Sequence, residues 1–317
     1  MNFAVLVATF RRPEHLRRNL EALALQSRKP DEILIALRPA EDPEGVSTAN
    51  DFQAAHPELD VRKVEVSVPG VIAAENAMLD ACSAEVACFL DDDAIARPFW
   101  LERLSRHYGS EKRIGGVAGP AIDVIDGKPR ERRARFRNRI IFPGIVLDQS
   151  TRHTDRPLRV DHFRGANMSF RTEALRACGG FDQNLRGDGF RFEMDACLGV
   201  SAQGYRLVFE PGAEVDHHEA PRPTNQHRYK PETIRINAAN ETCVLLKHWG
   251  LGIKGGIHML FAVLVGNFPC PGLAWALVAQ VLGPITGNRH LLGLRYLLPA
   301  IRGRFDGLQM ARRRRSR

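Results

Sequence analysis

Three consecutive aspartates, Asp91, Asp92 and Asp93, follow directly on the apolar run at 86–90 in CFLDDDA. Packed carboxylates repel one another, so such a cluster at the carboxyl end of a buried strand points to a hard divalent cation, which takes oxygen ligands. In an extended or turning segment Asp91 and Asp93 point to one side and Asp92 to the other, which leaves Asp91 and Asp93 as the pair that can face one site. Capping of the helix that follows accounts for one acid, not three. Two further groups could join them. Glu193 and Asp195 stand at the start of an expected helix in FRFEMDACLGV, where acids on their own are often only partners of the helix dipole. Asp216, His217 and His218 follow a strand and its Pro211-Gly212 turn, and imidazole is a frequent ligand of transition-series cations such as Mn(II).

The segments that must position these residues alternate strand and helix signals. Residues 3–8 are an apolar run of strand length, and Pro13 then opens a helix with Leu16, Leu20 and Leu23 on one face. Residues 32–37, 61–68 and 86–90 read as further strands, 71–81 as a helix, and Pro98 opens another helix through His107. Later come a strand at 162–170, helices at 172–178 and 191–203, and a strand at 205–209. Apolar strands separated by helices imply an α/β fold, a mostly parallel sheet covered by helices on both faces. Ligands of such sheets bind beyond the carboxyl ends of the strands, where the aspartates lie.

These motifs, in their order, resemble family 2 glycosyltransferases. VLVATFRRPEHLRRNLEALALQSRKPDEILIAL is similar to that family's first strand, turn, helix and second strand. VIAAENAML with ACFLDDD resembles its asparagine-containing helix and D-x-D strand. FRGANMSFRTEALRACGGFDQNL resembles its acceptor-side segments, and FEMDACLGVSAQGYRLVFEPGAEVDHH the region of its base and late histidine. The resemblance covers about residues 3–218 and implies a GT-A fold, an inverting mechanism, a nucleotide-diphosphate sugar as donor and a divalent metal, Mn or Mg, as cofactor. It implies that Asp91 meets the ribose side of the donor and that Asp93 binds the metal, with His217, or alternatively His218, as a further ligand. It places Thr9, Arg11, Glu14, Arg38 and Asp92 with the nucleotide contacts and Asn76 beside them. Glu193 stands where the family has its general base, with Asp195 as the alternative. The pattern departs from the family at Phe192, where an acid is common, and at Leu37-Arg38, where paired aspartates often hold uracil, so the UDP, GDP and dTDP donors all stay open. A phosphatase of the haloacid dehalogenase type also uses D-x-D, but on an early strand followed by Thr or Val, whereas here Ala94-Ile95 follow a fourth strand.

The net charge of +8 over 317 residues suggests nucleic acid only until its distribution is read. Residues 289–317 hold nine Arg and one acid, Asp306, and the rest of the chain is neutral as a whole. No nucleic-acid partner is therefore expected. Cys82, Cys88, Cys178, Cys197, Cys243 and Cys270 show no metal or disulfide spacing and read as reduced thiols. The opening apolar run is too short for a signal peptide. From 255 to 288 there is no Asp, Glu, Lys or Arg, but Pro269 and Pro271 interrupt the stretch. Two short apolar helices, 257–268 and 273–282, are expected, each short of the ~20 residues of a span. With the Arg tail they imply a membrane-associating hairpin, peripheral or re-entrant, on the cytoplasmic side of the plasma membrane. The expected organisation is a glycosyltransferase domain at 1–225 and a helical region at 226–317, with a sugar or a lipid-linked molecule as acceptor in envelope polysaccharide or glycolipid assembly. A purely membrane-binding protein would leave the aspartate cluster unexplained.

Overall fold

The computed structural model describes residues 1–130, 138–147, 156–218, 230–286 and 293–315. These fall into two compact units. The first comprises Met1–Asn138, Asp148–Asp182 and Glu193–Pro221, the second Arg139–Leu147, Gln183–Phe192 and Arg222–Arg317.

An eight-stranded sheet forms the centre of the first unit. Val86–Asp91, Phe3–Ala8, Glu32–Leu37 and Val61–Glu65 lie side by side and parallel. The first three of these are buried along nearly their whole length, as strands covered on both faces must be. Asn167–Arg171 is inserted antiparallel between Val86–Asp91 and Ile114–Ala118. Beyond it, Arg206–Phe209 pairs parallel with Ile114–Ala118, and Leu158–Val160 closes the edge antiparallel. The strand expected over 162–170 is confined to Asn167–Arg171, because the Asn167 N–H closes a turn onto the Arg164 carbonyl at 3.3 Å. The third strand likewise stops at Glu65, four residues before Pro69.

Helix Pro13–Ala24 starts on a proline, whose missing N–H is no loss in a first turn, and buries Leu16, Leu20 and Leu23 completely. In the next helix, Pro43–Ala55, the Asp42 carboxylate caps the first turn by accepting from the Gly45 N–H at 3.0 Å. The helix expected from Pro98 begins at Trp100, which is fully buried.

A second, four-stranded sheet runs in the order Ala94–Ala96, Val215–His217, Ala121–Ile125, Lys128–Pro129. Its strands are two to five residues long, too short to announce themselves by periodicity. Of the basic stretch 128–139, residues 131–137 lie outside the described residues.

In the second unit, helix Pro231–Trp249 packs along helix Leu297–Arg315. Gly303 and Gly307, four apart on one face, permit this approach. A Cβ at Gly303 would stand 2.2 Å from the Arg235 carbonyl oxygen, and one at Gly307 2.4 Å from that of Ala239. Glu241, fully buried, receives Arg191 (Nη2 to Oε2, 3.1 Å) and Arg304 (Nη1 to Oε1, 3.0 Å). Its neighbour Asn240 clasps the backbone of Arg186, accepting at 3.0 Å and donating at 2.9 Å. The uncharged stretch forms helices Ile253–Leu264 and Leu273–Thr286, with residues 287 and 288 outside the described set. Among the described residues no helix is long and apolar enough to cross a membrane.

Candidate functional site

Strand Val86–Asp91 delivers Asp91 at its carboxyl end, and the chain then turns through Asp92 and Asp93 into Ala94–Ala96. Asn19, buried on the first helix, holds this turn by donating to the carbonyls of Asp91 at 3.1 Å and Ala94 at 2.7 Å. Val215–His217 pairs antiparallel with Ala94–Ala96 and parallel with Ala121–Ile125, so His217 comes to lie between Ala94 and Asp123. Asp91, Asp93 and His217 each offer one ligand atom, and the three atoms lie within 4.8 Å of one another. Two carboxylate oxygens and an imidazole nitrogen at that spacing suit a divalent cation of the Mn(II) or Mg(II) type.

Asp92 faces away from this group. It accepts from the Thr9 hydroxyl at 2.8 Å and from Arg12 at 3.0 Å, and Arg12 also lies 3.6 Å from Asp93. His218 gives its backbone N–H to the Asp93 carbonyl at 2.8 Å, and its ring is not part of the three-residue group.

Burial, reinforced by the charge of Asp93, pushes Asp91 up to about 6. For His217 burial disfavours the charge, but hydrogen bonds donated to Asp123 and Asp93 outweigh it and lift the imidazole to about 9. Asp123, bonded to that imidazole, is held down at about 2. A cation can enter only as the His217 and Asp91 protons leave. Mn(II) affinity measured calorimetrically is therefore expected to tighten as pH rises from about 6 towards 9. A flat profile over that window would count against this ligand set.

Glu193 lies in the first turn of helix Phe192–Ala202, half-buried, while Asp195 is only 2% exposed. Glu193 is thus the more open of the two carboxylates. Between the aspartates and this helix the structure adds a residue that the motifs did not single out. Glu75, on helix Val71–Ala81, is 4% exposed, and its Oε2 has no hydrogen-bond partner among the described residues. Burial raises its pKa well above the ordinary range, and the charges of Asp91 and Glu193 raise it further. Glu75 is therefore within electrostatic reach of both groups, and its neutral form is favoured.

The residues assigned to the nucleotide separate into two sets. Arg11, at φ 55°, donates its backbone N–H to Asp42 at 2.7 Å and its Nε–H to the Glu41 carbonyl at 3.0 Å. The guanidiniums of Arg11 and Arg38 lie 5.0 and 5.1 Å from the Phe10 ring centre, and Arg38 pairs with Glu41. Glu14 does not join them; it is exposed and pairs with Arg17 at 3.0 Å. Nor does Asn76 face the aspartates. Its amide is engaged at both ends by the backbone of Phe181, donating at 2.7 Å and accepting at 2.9 Å, which fixes the Gly179-Gly180 turn.

The family model described as glycosyltransferase-like family 2 matches residues 1–233. The chain belongs to this family. Over 173 residues this family 2 chain is 30% identical to the pre-mycofactocin glycosyltransferase of Mycobacterium tuberculosis H37Rv, a match covering 53% of the chain and 34% of that protein. It thus spans about a third of the length of the curated relative it matches at 30% identity. It is 24% identical over 231 residues to the glucosyl-dolichyl phosphate glucuronosyltransferase of Haloferax volcanii, covering 68% and 69% of the two. The fold is similar to that of the mannosyltransferase PcManGT from Pyrobaculum calidifontis, solved with GDP-Man and Mn2+, at TM-score 0.58, 16% identity and coverage of 97% and 87%. It is also similar to GalNAc-T7 with UDP, GalNAc and Mn2+, at TM-score 0.55, 14% identity and coverage of 92% and 58%.

Besides Glu75, the family 2 chain brings Arg12, Asn19, Asp123 and Arg164 to the site, none of them singled out in the sequence as a site residue. Asp123 left only a faint signal, one acid inside the apolar strand AIDVI. It lies 3.1 Å from His217 Nδ1, which leaves Nε2 directed to Asp93 at 3.3 Å, and Arg164 donates to the same Asp123 oxygen at 3.2 Å. A carboxylate on the far nitrogen fixes the ring and its tautomer for ligation. Asp123→Asn is expected to weaken Mn(II) binding roughly 10–100-fold in titration calorimetry with the fold intact. An unchanged affinity would remove Asp123 from the site.

Proposed function

We propose that this protein is an inverting glycosyltransferase that moves a sugar from a nucleotide-diphosphate donor to an acceptor hydroxyl. The observation that carries the reading is the convergence of Asp91, Asp93 and His217 beyond a parallel strand, with Glu75 linking them electrostatically to Glu193. Asp91, Asp93 and His217 would hold a divalent metal ion, Mn or Mg, whose charge stabilises the departing diphosphate. Glu193 takes the proton of the acceptor hydroxyl as its oxygen bonds to the anomeric carbon. The bond from that carbon to the diphosphate oxygen breaks on the opposite face, and the nucleoside diphosphate leaves with the electron pair. One such displacement inverts the anomeric centre. Thr9, Arg11 and Arg38 would meet the nucleotide, and the Arg38 guanidinium at the second strand's end offers donors where a carboxylate would offer acceptors.

Neighbours solved with GDP-Man and Mn2+ or with UDP and Mn2+ support the donor class and the metal. The Haloferax relative carries glucosyl-dolichyl phosphate in its name, which supports a lipid-linked or sugar acceptor presented at a membrane. The corresponding role is envelope polysaccharide or glycolipid assembly on the cytoplasmic face of the plasma membrane. The test is a screen of UDP-, GDP- and dTDP-sugars for Mn(II)-dependent thermal stabilisation and slow donor hydrolysis. One donor class is expected to give both, and a null response to all three would overturn the assignment.

A further inference from the structure

Helices Ile253–Leu264 and Leu273–Thr286 are amphipathic in reverse. On the first, Ile253, Ile257, Leu260 and Leu264 recur every three or four residues and are 43–85% exposed, whereas Gly255, His258 and Ala262 are buried. On the second, Leu273, Leu277 and Val281 form an outward stripe while Ala276 and Ala279 are buried. Large apolar side chains thus face out, while small residues and His258 face in, the opposite of a helix that serves its own core. Exposed apolar stripes of this kind mark an interaction site.

Three observations choose the occupant. The helices have 12 and 14 residues, so at 1.5 Å per residue they are ~18–21 Å long, well short of a ~30 Å hydrocarbon core. The stretch 255–288 carries no charge, and the exposed charges Lys254, Arg295 and Arg302 on either side of it are all cationic. The single acid after Lys254 is Asp306, which is bound to Arg235 at 2.7 Å. A second copy on this face would bring like charges together with no acids to answer them. An anionic bilayer answers both the apolar stripes and the cations.

We propose that the outward faces of these two helices are an in-plane docking surface for an anionic lipid bilayer. This deepens the membrane reading given above by naming the contact and its partner. It rests on the helices alone, so its failure leaves the transferase reading standing.

The test is flotation of the full chain, without donor, with vesicles of phosphatidylcholine alone or with added phosphatidylglycerol, at low and physiological salt. The protein is expected to float with the anionic vesicles, and more weakly as salt rises. The double variant Leu260→Glu, Val281→Glu, at exposed positions remote from the aspartates in sequence, is expected to lower partitioning by at least ~10-fold. Its circular dichroism and Mn(II)-dependent stabilisation by nucleoside diphosphate should stay unchanged. Wild-type protein that ignores both vesicle types overturns the proposal, and so does a variant that floats as well as wild type. A dimer in sedimentation velocity that the same two substitutions split would also overturn it, by assigning the face to a second copy.

Discussion

Glu193→Gln is expected to cut sugar transfer by roughly 10²–10⁴-fold while donor binding is retained. Gln keeps the shape of the side chain and loses only the ability to accept a proton, so the deficit should fall on turnover rather than on the donor's dissociation constant. The position supports this separation. Glu193 lies on helix Phe192–Ala202 and not on the strand that bears the aspartates. Glu193 is partly exposed, whereas Asp195 is buried. Transfer and donor stabilisation should be measured on the same protein samples. If Glu193→Gln keeps transfer within a few-fold and Asp195→Asn abolishes it, the base is Asp195. If both variants stay active, neither is the base.

Asp93→Ala carries the second large effect, an expected loss of about a thousandfold or more in transfer together with loss of Mn(II)-dependent donor stabilisation. Asp93 is 6% exposed and stands between a candidate ligand and a fixed cation: His217 lies 3.3 Å from one carboxylate oxygen, Arg12 3.6 Å from the other. Its removal takes away one ligand of three and leaves His217 aimed at a gap. The discriminating measurement is Mn(II) titration calorimetry beside the transfer assay. Lost transfer with intact metal binding would place Asp93 outside the cation site, and intact transfer would sink the metal-dependent mechanism.

Parts of this arrangement could be read from residue order because they violate a local rule. Three adjacent carboxylates after a buried strand are electrostatically unfavourable unless something offsets them, and so they stand out. The parallel half of the main sheet was visible for a similar reason, since strands covered on both faces must be apolar throughout. What stayed hidden depends on contacts between distant segments. The antiparallel sense of Asn167–Arg171 leaves no trace in an apolar run, which reads the same in either direction. Asp123 looks like any lone acid until register sets it beside a histidine 94 positions later. Glu75 looks like an ordinary helix residue until burial and its neighbours are known. Asn76 shows the converse: a motif position whose amide is committed to the Phe181 backbone.

The shared carboxylate of Glu241 bears on how small an active fragment can be. The family match ends at residue 233, and a protein trimmed to that limit would lack both Glu241 and Arg304. Arg191, only 3% exposed in the whole chain and two residues ahead of Glu193, would then lose the Glu241 carboxylate it binds through both Nε and Nη2. Stranding one member of a buried ion pair costs about 3–5 kcal/mol, a large part of a domain's net stability. A stable form of the chain is therefore expected to extend beyond the 1–233 family match. The carboxylate that answers the Arg191 charge, two residues ahead of Glu193, is thus supplied from beyond the matched residues, by helix Pro231–Trp249.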